Sequence, residues 1–542
     1  MKDFGYFGEL DFPLNDEICV CNNSNESFIV ANDKCLNAEI YAPEINHYIA
    51  NCDENALIKA KNISLLYESR ALGFDLSKYQ KMSKNVGKNV LIVGEKDEVL
   101  ERILQENGFK THFEDEIKFI YGCVGELSAI LDDKTELECD FALFKKPQPY
   151  ALRQSGCYDI SAKNASEICE ILLSKTPIYQ YQNYVGLDSD LCLYHHKRGE
   201  ICAACASLCP SVAILKNTEQ KELVLSPIDC VACGRCVSIC PSGAMENLVL
   251  TRASVIKIAS LYKGKTPLLM CETDLANVRF KNNILPFILP SGGVLDFDNL
   301  LSVVLGCGSA IIIYLKEFLP AVNESIELAN EIFSRAFGKK LIFACSDENK
   351  LAKIMDNISF ESIGDFELNE NLNKFTSTAS KLKMIVSNRD LGEFIAAPSI
   401  SHAKISVDED KCTLCLSCAG ACPTGALLAD STNNALCFNE SLCVGCDYCI
   451  QSCAEKDTIF ITRGKMRLND EYFMPKVLAK DELFACAMCG KEFATKKAIE
   501  RVASMMSASF GDDMNKLKSL YCCSDCKAQM MIEAQIKGAH DE

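Results

Sequence analysis

Histidine is scarce in this sequence of 542 residues, and the common nucleotide-binding motifs are missing from it. With six histidines there are few candidates for a general base, and no Ser-His-Asp triad can be recognised in the sequence. Neither G-x-G-x-x-G nor G-x-x-x-x-G-K-S/T occurs. The sequence therefore supports neither a dinucleotide fingerprint nor ATP hydrolysis.

The sequence also lacks a hydrophobic run long enough to cross a membrane. Its most apolar stretch, residues 300–315, is interrupted by Gly306 and Gly308 and is shorter than the roughly 20 residues that a bilayer span needs. This stretch predicts a buried helix, a glycine turn and a buried strand. The first 18 residues carry acids where a secretory signal has a basic start, and they contain no twin-arginine pair. We therefore expect a cytoplasmic protein without a membrane span.

Basic residues are outnumbered by acidic ones. Lys and Arg total 56 against 74 Asp and Glu, which gives a formal net charge of −18. Such a surface repels the phosphates of nucleic acids and the headgroups of anionic lipids. We expect no nucleic-acid partner, and we expect protein partners that present basic patches.

Cysteine is abundant, with 33 residues in the chain. A chain of this length buries enough apolar surface to fold without disulfides, and cytosolic thiols stay reduced. Clustered cysteines in such a chain are therefore expected to be metal ligands. Most of them fall into three dense groups, at residues 192–240, 412–453 and 486–526.

The second group has the spacing of a two-cluster ferredoxin. It reads C-x2-C-x2-C-x3-C-P at residues 412–423, and residues 443–453 repeat the spacing with Ala454 in place of the proline. A short loop presents three thiolates to a cubane, and the fourth cysteine of each run ligates the other cluster. The predicted ligand sets are Cys412, Cys415, Cys418 and Cys453 for one 4Fe-4S centre, and Cys443, Cys446, Cys449 and Cys422 for the other.

The first group repeats this design with one irregularity. The run at residues 230–241 is complete, but its partner run at residues 202–210 has Gly199 where its first cysteine would stand. Cys192 lies upstream, and the intervening loop could bring its thiolate back to the iron atom that lacks a ligand. The predicted sets are Cys192, Cys202, Cys205 and Cys240 for one centre, and Cys230, Cys233, Cys236 and Cys209 for the other. Two alternatives to ligation by Cys192 remain. The centre could be a three-iron cluster with no fourth ligand, or His195 or His196 could be the fourth ligand.

The third group consists of two separated C-x2-C pairs, which is a strong zinc signal. Four thiolates close a tetrahedral structural site and leave Cys522 as a bystander. The predicted zinc ligands are Cys486, Cys489, Cys523 and Cys526.

The amino-terminal cysteines follow no regular loop spacing. Spacing alone does not distinguish ligation of a fifth cluster from free thiols. These residues are Cys19, Cys21, Cys35 and Cys52.

Between the cysteine groups the sequence has the pattern of an α/β fold. Residues 89–121 and 251–400 alternate apolar strands with amphipathic helices, which indicates open, largely parallel sheets. Cys271, Cys307 and Cys345 lie near the carboxyl ends of apolar segments, where core thiols are the default interpretation. We expect an α/β and α+β multidomain fold, in which Rossmann-like α/β domains carry two inserted dicluster ferredoxin-like modules and a C-terminal zinc-ribbon-like domain.

The predicted division of the chain follows these signals. It comprises an N-terminal cysteine-containing segment (1–80), a Rossmann-like α/β domain (87–185), a first dicluster module (186–250), a second α/β domain (251–400), a second dicluster module (401–465) and a zinc-binding domain (480–542).

The motifs resemble several iron-sulfur families. The paired runs resemble bacterial dicluster ferredoxins over residues 192–250 and 408–463. ICVCN, Cys35 and IANCDENALIKAKN resemble the amino-terminal part of heterodisulfide reductase A subunits, whose cysteines hold an iron-sulfur cluster. This resemblance favours ligation by the four amino-terminal cysteines. Residues 268–314 resemble the delta subunit of methyl-viologen-reducing hydrogenases in their alternation of strands and helices, although that family's extra cysteines are missing.

Taken as a whole, the chain resembles large bacterial 4Fe-4S proteins found with formate dehydrogenase systems. We expect an electron-transfer protein with zinc and four 4Fe-4S clusters, or five with the amino-terminal one. Its partner would be a redox enzyme or complex such as formate dehydrogenase. The alternatives are a flavin- or nicotinamide-dependent reductase, and an accessory or assembly protein for a molybdenum or tungsten enzyme.

Overall fold

The structure is a computed structural model that describes residues 2–22, 26–146, 148–197, 199–281, 283–511 and 513–538. The chain divides into two compact units, residues 1–381 and 382–542. Each unit contains one of the two ferredoxin-like cysteine groups.

The first unit begins with a small parallel sheet of order β2-β1-β3-β4, followed by two helices. Tyr67 on the second helix donates its hydroxyl proton to the Gly5 carbonyl at 2.7 Å, and this bond ties the helix to the sheet. The elements are β1 (Lys2–Tyr6), β2 (Ile18–Val20), β3 (Ser27–Ala31), β4 (Asn37–Tyr41), α1 (Pro43–Asn51) and α2 (Ala56–Asp75).

The next region contains a four-stranded parallel sheet of order β12-β11-β6-β7, a three-stranded antiparallel sheet and a separate strand pair, β5 with β13. The strands are β5 (Lys81–Asn85), β6 (Asn89–Val93), β7 (Lys110–Glu114), β8 (Phe119–Cys123), β9 (Glu126–Ile130), β10 (Glu136–Cys139), β11 (Phe141–Phe144), β12 (Cys157–Asp159) and β13 (Ile178–Gln182). The helices are α3 (Glu98–Glu106) and α4 (Ala165–Leu173).

Strand β6 shows why this segment is almost wholly apolar. Val90 and Ile92 pack into one core with α3 and α4, whereas Leu91 and Val93 pack into a second core with the antiparallel sheet. Because both faces are covered, the alternation of polar and apolar residues disappears.

The first cysteine module follows, with an antiparallel strand pair, β14 with β17, and a hairpin, β15 with β16. Its elements are β14 (Val185–Leu187), α5 (Ala204–Leu208), β15 (Ile214–Asn217), β16 (Glu222–Leu225), α6 (Arg235–Ile239) and β17 (Met245–Asn247). The two helices are only five residues long, and each ends immediately before the last cysteine of a run.

The first unit continues with a second parallel sheet of order β19-β18-β20-β21. Its strands are β18 (Thr266–Cys271), β19 (Ile284–Leu289), β20 (Ile311–Tyr314) and β21 (Ile342–Cys345). The helices are α7 (Arg252–Leu261), α8 (Phe297–Cys307), α9 (Pro320–Phe337) and α10 (Glu348–Asn357), and α11 (Lys374–Val386) runs across the boundary between the units.

The apolar run at residues 300–315 forms the buried helix, turn and strand that its sequence predicts. Helix α8 is buried along its whole length, Gly308 ends it in the left-handed region with φ +65°, and β20 follows, fully buried. None of the helices in the described ranges combines the length and the apolar composition that a bilayer crossing requires.

The second unit repeats the arrangement of the first module and adds a terminal region. The module elements are β22 (Glu393–Ile395), β23 (Ala403–Val407), α12 (Ser417–Ala421), β24 (Leu427–Asp430), β25 (Ala435–Phe438), α13 (Tyr448–Ser452), β26 (Ile459–Arg463), β27 (Lys465–Arg467) and β28 (Lys476–Lys480). Strand β23 pairs with β26, β22 pairs with β27, and β28 extends the β24-β25 hairpin to a third strand.

The terminal region contains one hairpin followed by helices. Its elements are β29 (Leu483–Ala485), β30 (Glu492–Thr495), α14 (Lys496–Phe510), α15 (Met514–Ser519) and α16 (Ser524–Gly538). Short 3-10 helices elsewhere in the chain lie at Ala151–Arg153, Pro227–Asp229, Glu272–Asn277, Gly292–Val294, Glu440–Leu442 and Asp470–Phe473.

Candidate metal centres

Each cysteine run in the second unit is a tight loop that leads into a five-residue helix. The loop from Cys412 reaches α12 through Leu414 and Leu416, both of which have positive φ angles. The loop from Cys443 reaches α13 through Gly445 and Asp447, which are also left-handed. Left-handed residues at these positions curl the backbone and turn its N–H groups toward the enclosed sulfur atoms.

The structure brings together the two sets of four cysteines that the spacing predicts in this module. Cys412, Cys415, Cys418 and Cys453 line one cavity. Burial raises the pKa of Cys418 to about 11, and the other three sulfurs of its set contribute to this rise. Burial likewise raises the pKa of Cys449 to about 12, with contributions from Cys443, Cys446 and Cys422.

Backbone N–H groups point at these sulfurs with a regular offset of two residues. Leu414 donates toward Cys412, Ser417 toward Cys415, Gly445 toward Cys443, Tyr448 toward Cys446, and Glu455 toward Cys453. Hydrogen bonds of this kind stabilise thiolate over thiol. They also help to set the reduction potential of a cluster bound to the sulfur.

The first unit shows the same arrangement around its own eight cysteines. Burial raises the pKa of Cys205 to about 12, and its neighbouring sulfurs are those of Cys240, Cys202 and Cys192. Cys209, Cys230, Cys233 and Cys236 line a separate cavity. The grouping is the one that the sequence predicts for the irregular module.

Cys192 has the surroundings of a ligand. It is buried, and the backbone N–H groups of Tyr194 and His195 point at its sulfur, as Leu414 does for Cys412. The His196 ring has a different partner, since its Nε2 lies 3.3 Å from a carboxylate oxygen of Glu222. This geometry favours Cys192 over His196 as the fourth ligand.

The donor sets fit iron-sulfur clusters chemically. Each set has at least one buried cysteine, and four sulfurs that repel one another as thiolates require a cationic centre, which the irons of a cubane supply. Hydroxyl groups placed two residues after the three C-P cysteines lie near the sulfurs: Ser211 at 3.5 Å from Cys209, Ser242 at 3.8 Å from Cys240, and Thr424 at 3.7 Å from Cys422. The cysteine spacing does not indicate these hydroxyls.

A second feature that the sequence pattern does not indicate is a buried charge pair beside Cys240. Lys374 donates from Nζ to the Cys240 carbonyl at 2.7 Å and lies 2.9 Å from a carboxylate oxygen of Asp296. Burial disfavours the ionised form of Asp296, but Lys374 and Arg252 hold its pKa below the usual value. Lys374 is distant from Cys240 in sequence, so only the folded structure reveals this contact.

We expect Lys374→Met to lower the midpoint potential of the cluster held by Cys240. Reduction makes the cluster more negative, and losing a nearby cation disfavours it by about 1 kcal/mol, which corresponds to roughly 40 mV for one electron. Potentiometric titration followed by electron paramagnetic resonance measures the shift. Lys374→Arg keeps the charge and is the control. Equal potentials in wild type and Lys374→Met would show that this cation does not act on the cluster.

Four sulfurs in the terminal region lie much closer together than a cubane requires. The sulfur atoms of Cys486, Cys489, Cys523 and Cys526 lie within 4.8 Å of one another, and Cys489 Sγ and Cys523 Sγ are 3.8 Å apart. Sulfurs bound at about 2.3 Å to one tetrahedral zinc are separated by ~3.8 Å. Although burial opposes it, N–H groups of Cys489, Cys523 and Met488 lower the pKa of Cys486 to about 5. The donor set therefore fits zinc.

The elements that carry these sulfurs differ between the two pairs. The first pair lies between β29 and β30, whereas Cys523 and Cys526 lie at the start of α16. Cys522 is fully buried and its sulfur lies 3.4 Å from the Lys518 carbonyl oxygen. It lies outside the group of four.

The amino-terminal cysteines have separate surroundings. Cys19 and Cys21 are near each other at the edge of a small apolar cluster with Phe28, and Cys19 Sγ is 3.5 Å from Lys2 Nζ. Cys35 is exposed in the turn before β4 and adjoins Asp33. Cys52 is buried next to Tyr48 and pairs with Phe280 through a parallel bridge.

The strand-end cysteines lie in or near the second parallel sheet. Cys271 ends β18, Cys345 ends β21, and Cys307 is the last residue of α8. Burial raises the pKa of each to about 11, so they are neutral thiols at neutral pH.

Two family models match the chain. Residues 183–244 match a 4Fe-4S dicluster domain, and residues 405–428 match a 4Fe-4S binding domain. No match to the chain is found among curated proteins. The chain is thus a mixed α/β protein with ferredoxin-type 4Fe-4S binding domains in both units. The matches confirm the iron-sulfur ferredoxin type for the first cysteine group and for the run at residues 412–423 of the second.

Proposed function

We propose that the protein transfers single electrons through four 4Fe-4S clusters, two in each unit. The ligands of the first unit are Cys192, Cys202, Cys205 and Cys240 for one cluster, and Cys230, Cys233, Cys236 and Cys209 for the other. The ligands of the second unit are Cys412, Cys415, Cys418 and Cys453 for one cluster, and Cys443, Cys446, Cys449 and Cys422 for the other.

The observation that carries this proposal is the grouping of the sulfurs, with backbone N–H donors aimed at them. In each module the last cysteine of one run joins the three loop cysteines of the other run. This crossing places the two clusters of a module side by side. An electron that enters one cluster then has a short path to its neighbour, and the N–H and hydroxyl donors help to set its potential.

The remaining regions act as scaffold and terminus. We assign the two parallel-sheet regions as Rossmann-like domains that support the first module. The terminal domain is stabilised by a zinc ion, which is held by Cys486, Cys489, Cys523 and Cys526. A fifth cluster is not part of the proposal, because Cys52 contacts Tyr48 and Phe280, whereas Cys19 and Cys21 pack beside Phe28.

Bond-making chemistry falls to a partner in this proposal. The net charge of −18 suits a cytoplasmic redox enzyme that presents a basic docking patch. A formate dehydrogenase is the candidate indicated by the sequence resemblance. Electron exchange with such a partner would slow as ionic strength rises, because salt screens the attraction.

Anaerobic reductive titration tests this role. We expect the purified protein to accept about four electrons per chain, one for each cluster. Cys418→Ala should lower that number by at least one. Cys437→Ala is the matched control, because Cys437 is a buried thiol on β25 outside the four sets. A protein that takes up no electrons, or a Cys418→Ala variant with the wild-type number, would contradict the proposal.

A further inference from the structure

A large cavity in the first unit adjoins one of the cluster sites. Its volume is about 600 Å³, which is within the range of small-molecule sites. The cavity lies beside α2, at the carboxyl ends of β18 and β19, and against the loop at residues 231–233. The carboxyl edge of a parallel sheet is where such domains bind ligands.

The cavity shares a wall with the site of the second cluster in this module. Tyr184, Val231 and Cys233 line both this cavity and the smaller one that contains Cys209, Cys230 and Cys236. Cys233 is one of the proposed ligands of that cluster. A molecule in the cavity would be separated from the cluster by one layer of residues.

The loop between the two cavities fits tightly against the 3-10 helix Gly292–Val294, which follows β19. Gly234 has φ +73°, and a Cβ at this position would lie 2.7 Å from the carbonyl carbon of Gly293. The side chain of Val231 is nevertheless 61% exposed, which is unusual for an apolar residue in a cluster-binding loop. A bound apolar molecule would cover it.

The charges in the cavity disfavour phosphate. Arg70 is the one cation in the described lining, and it is already paired with Glu44 and Glu272. One guanidinium beside two carboxylates leaves a net negative wall, which repels a phosphorylated cofactor. Much of the remaining lining is apolar and includes Phe74 and Phe287.

Polar contacts are available for a neutral ligand. Tyr79 and Tyr184 line the cavity and carry hydroxyl groups. Cys271 also lines it, as a neutral thiol. An uncharged ring with carbonyl oxygens matches such a lining, because hydroxyl groups can donate to its oxygens while its carbon face covers apolar side chains.

We propose that this cavity binds a quinone, which exchanges electrons with the cluster held by Cys230, Cys233, Cys236 and Cys209. The inference rests on the proposed function, since it requires a reduced cluster. Two one-electron transfers from reduced clusters, with two protons from solvent, convert both carbonyls of the quinone to hydroxyls and give the quinol. Glu272 lies on the cavity wall and is half-exposed.

Binding is tested with duroquinone, whose fully methylated ring does not alkylate thiols. Equilibrium dialysis of the anaerobically purified full chain should show one duroquinone bound per chain. Gly73→Phe should weaken this binding at least tenfold, because Gly73 lines the cavity and has room for a side chain, with Ile258 Cδ1 3.5 Å from an added Cβ. Leu57→Phe, at an exposed position of the same helix, is the matched control and should bind normally.

The electron step is followed separately by rapid mixing. Dithionite-reduced protein should recover its cluster absorbance on mixing with duroquinone, and Gly73→Phe should slow this recovery at least tenfold.

A decyl-tailed benzoquinone distinguishes the source of the ligand. Affinity equal to that of duroquinone indicates a freely diffusing quinone, and at least tenfold tighter binding indicates a tailed membrane quinone. Ser77→Leu fills the same cavity if Gly73→Phe fails to fold.

The outcomes separate this inference from the proposed function. Protein without iron would overturn the proposed function. Iron-loaded protein that does not bind duroquinone, or that binds it equally after Gly73→Phe and Ser77→Leu, would overturn the quinone site alone. Binding of flavin mononucleotide in place of duroquinone would also overturn it, because that result contradicts the charge argument.

Discussion

Replacing Cys192 with alanine is expected to damage one cluster and leave three intact. Iron should fall from about 16 to about 12 atoms per chain, or to about 15 if a three-iron cluster remains. The physical reason is local, since Cys192 is buried beside Cys202, Cys205 and Cys240 and receives N–H groups from Tyr194 and His195. Iron analysis with electron paramagnetic resonance measures the loss and identifies a three-iron signal.

Two further variants make this test specific. Cys157→Ala removes another buried thiol of the first unit, on β12, and should leave the iron content unchanged. His195→Ala removes the imidazole but keeps the backbone N–H that points at Cys192. It should also retain all its iron. Normal iron in Cys192→Ala together with iron loss in His195→Ala would transfer the ligand role to the histidine.

Loss of zinc is expected to unfold the terminal domain without affecting the clusters. Structural zinc contributes on the order of 10–16 kcal/mol to the folding of small domains. The described part of residues 483–538 has little else to hold it together, because its buried side chains outside the cysteines are few: Ile499, Ala503 and Leu520. A domain with so small a core depends on its metal.

Cys523→Ala provides the measurement. We expect the variant to lose its zinc, to become sensitive to limited proteolysis after residue 480, and to keep its visible cluster absorbance. Cys522→Ala is the matched control, because this thiol is equally buried but lies outside the group of four. A protease-resistant Cys523→Ala variant would show that the sulfurs do not hold a structural metal.

The sequence predicts the ligand groups because the spacing rules for cubanes are local. Cys412, Cys415 and Cys418 are placed by a loop of seven residues, and the geometry of that loop changes little with its surroundings. The helix, glycine turn and strand of residues 300–315 are predictable for a similar reason. An apolar run that is broken by glycines must be buried in two pieces.

Features that depend on distant residues were not predictable in this way. The contact of Lys374 with the Cys240 carbonyl joins residues 134 positions apart, and no pattern near either residue indicates it. The cavity beside Val231 is assembled from α2, two strands and the cluster loop, so its chemistry exists only in the folded chain. The left-handed Leu414 and Leu416 were also not foreseen, because leucine rarely adopts positive φ.

The central claim is that the paired cysteine runs hold iron-sulfur cubanes that carry electrons. The most direct measurement is the content of iron, acid-labile sulfide and zinc per chain after anaerobic purification. We predict about 16 irons, about 16 sulfides and one zinc. A folded chain that is colourless and free of iron, while zinc fills the cysteine sites of both ferredoxin-like modules, would contradict the account.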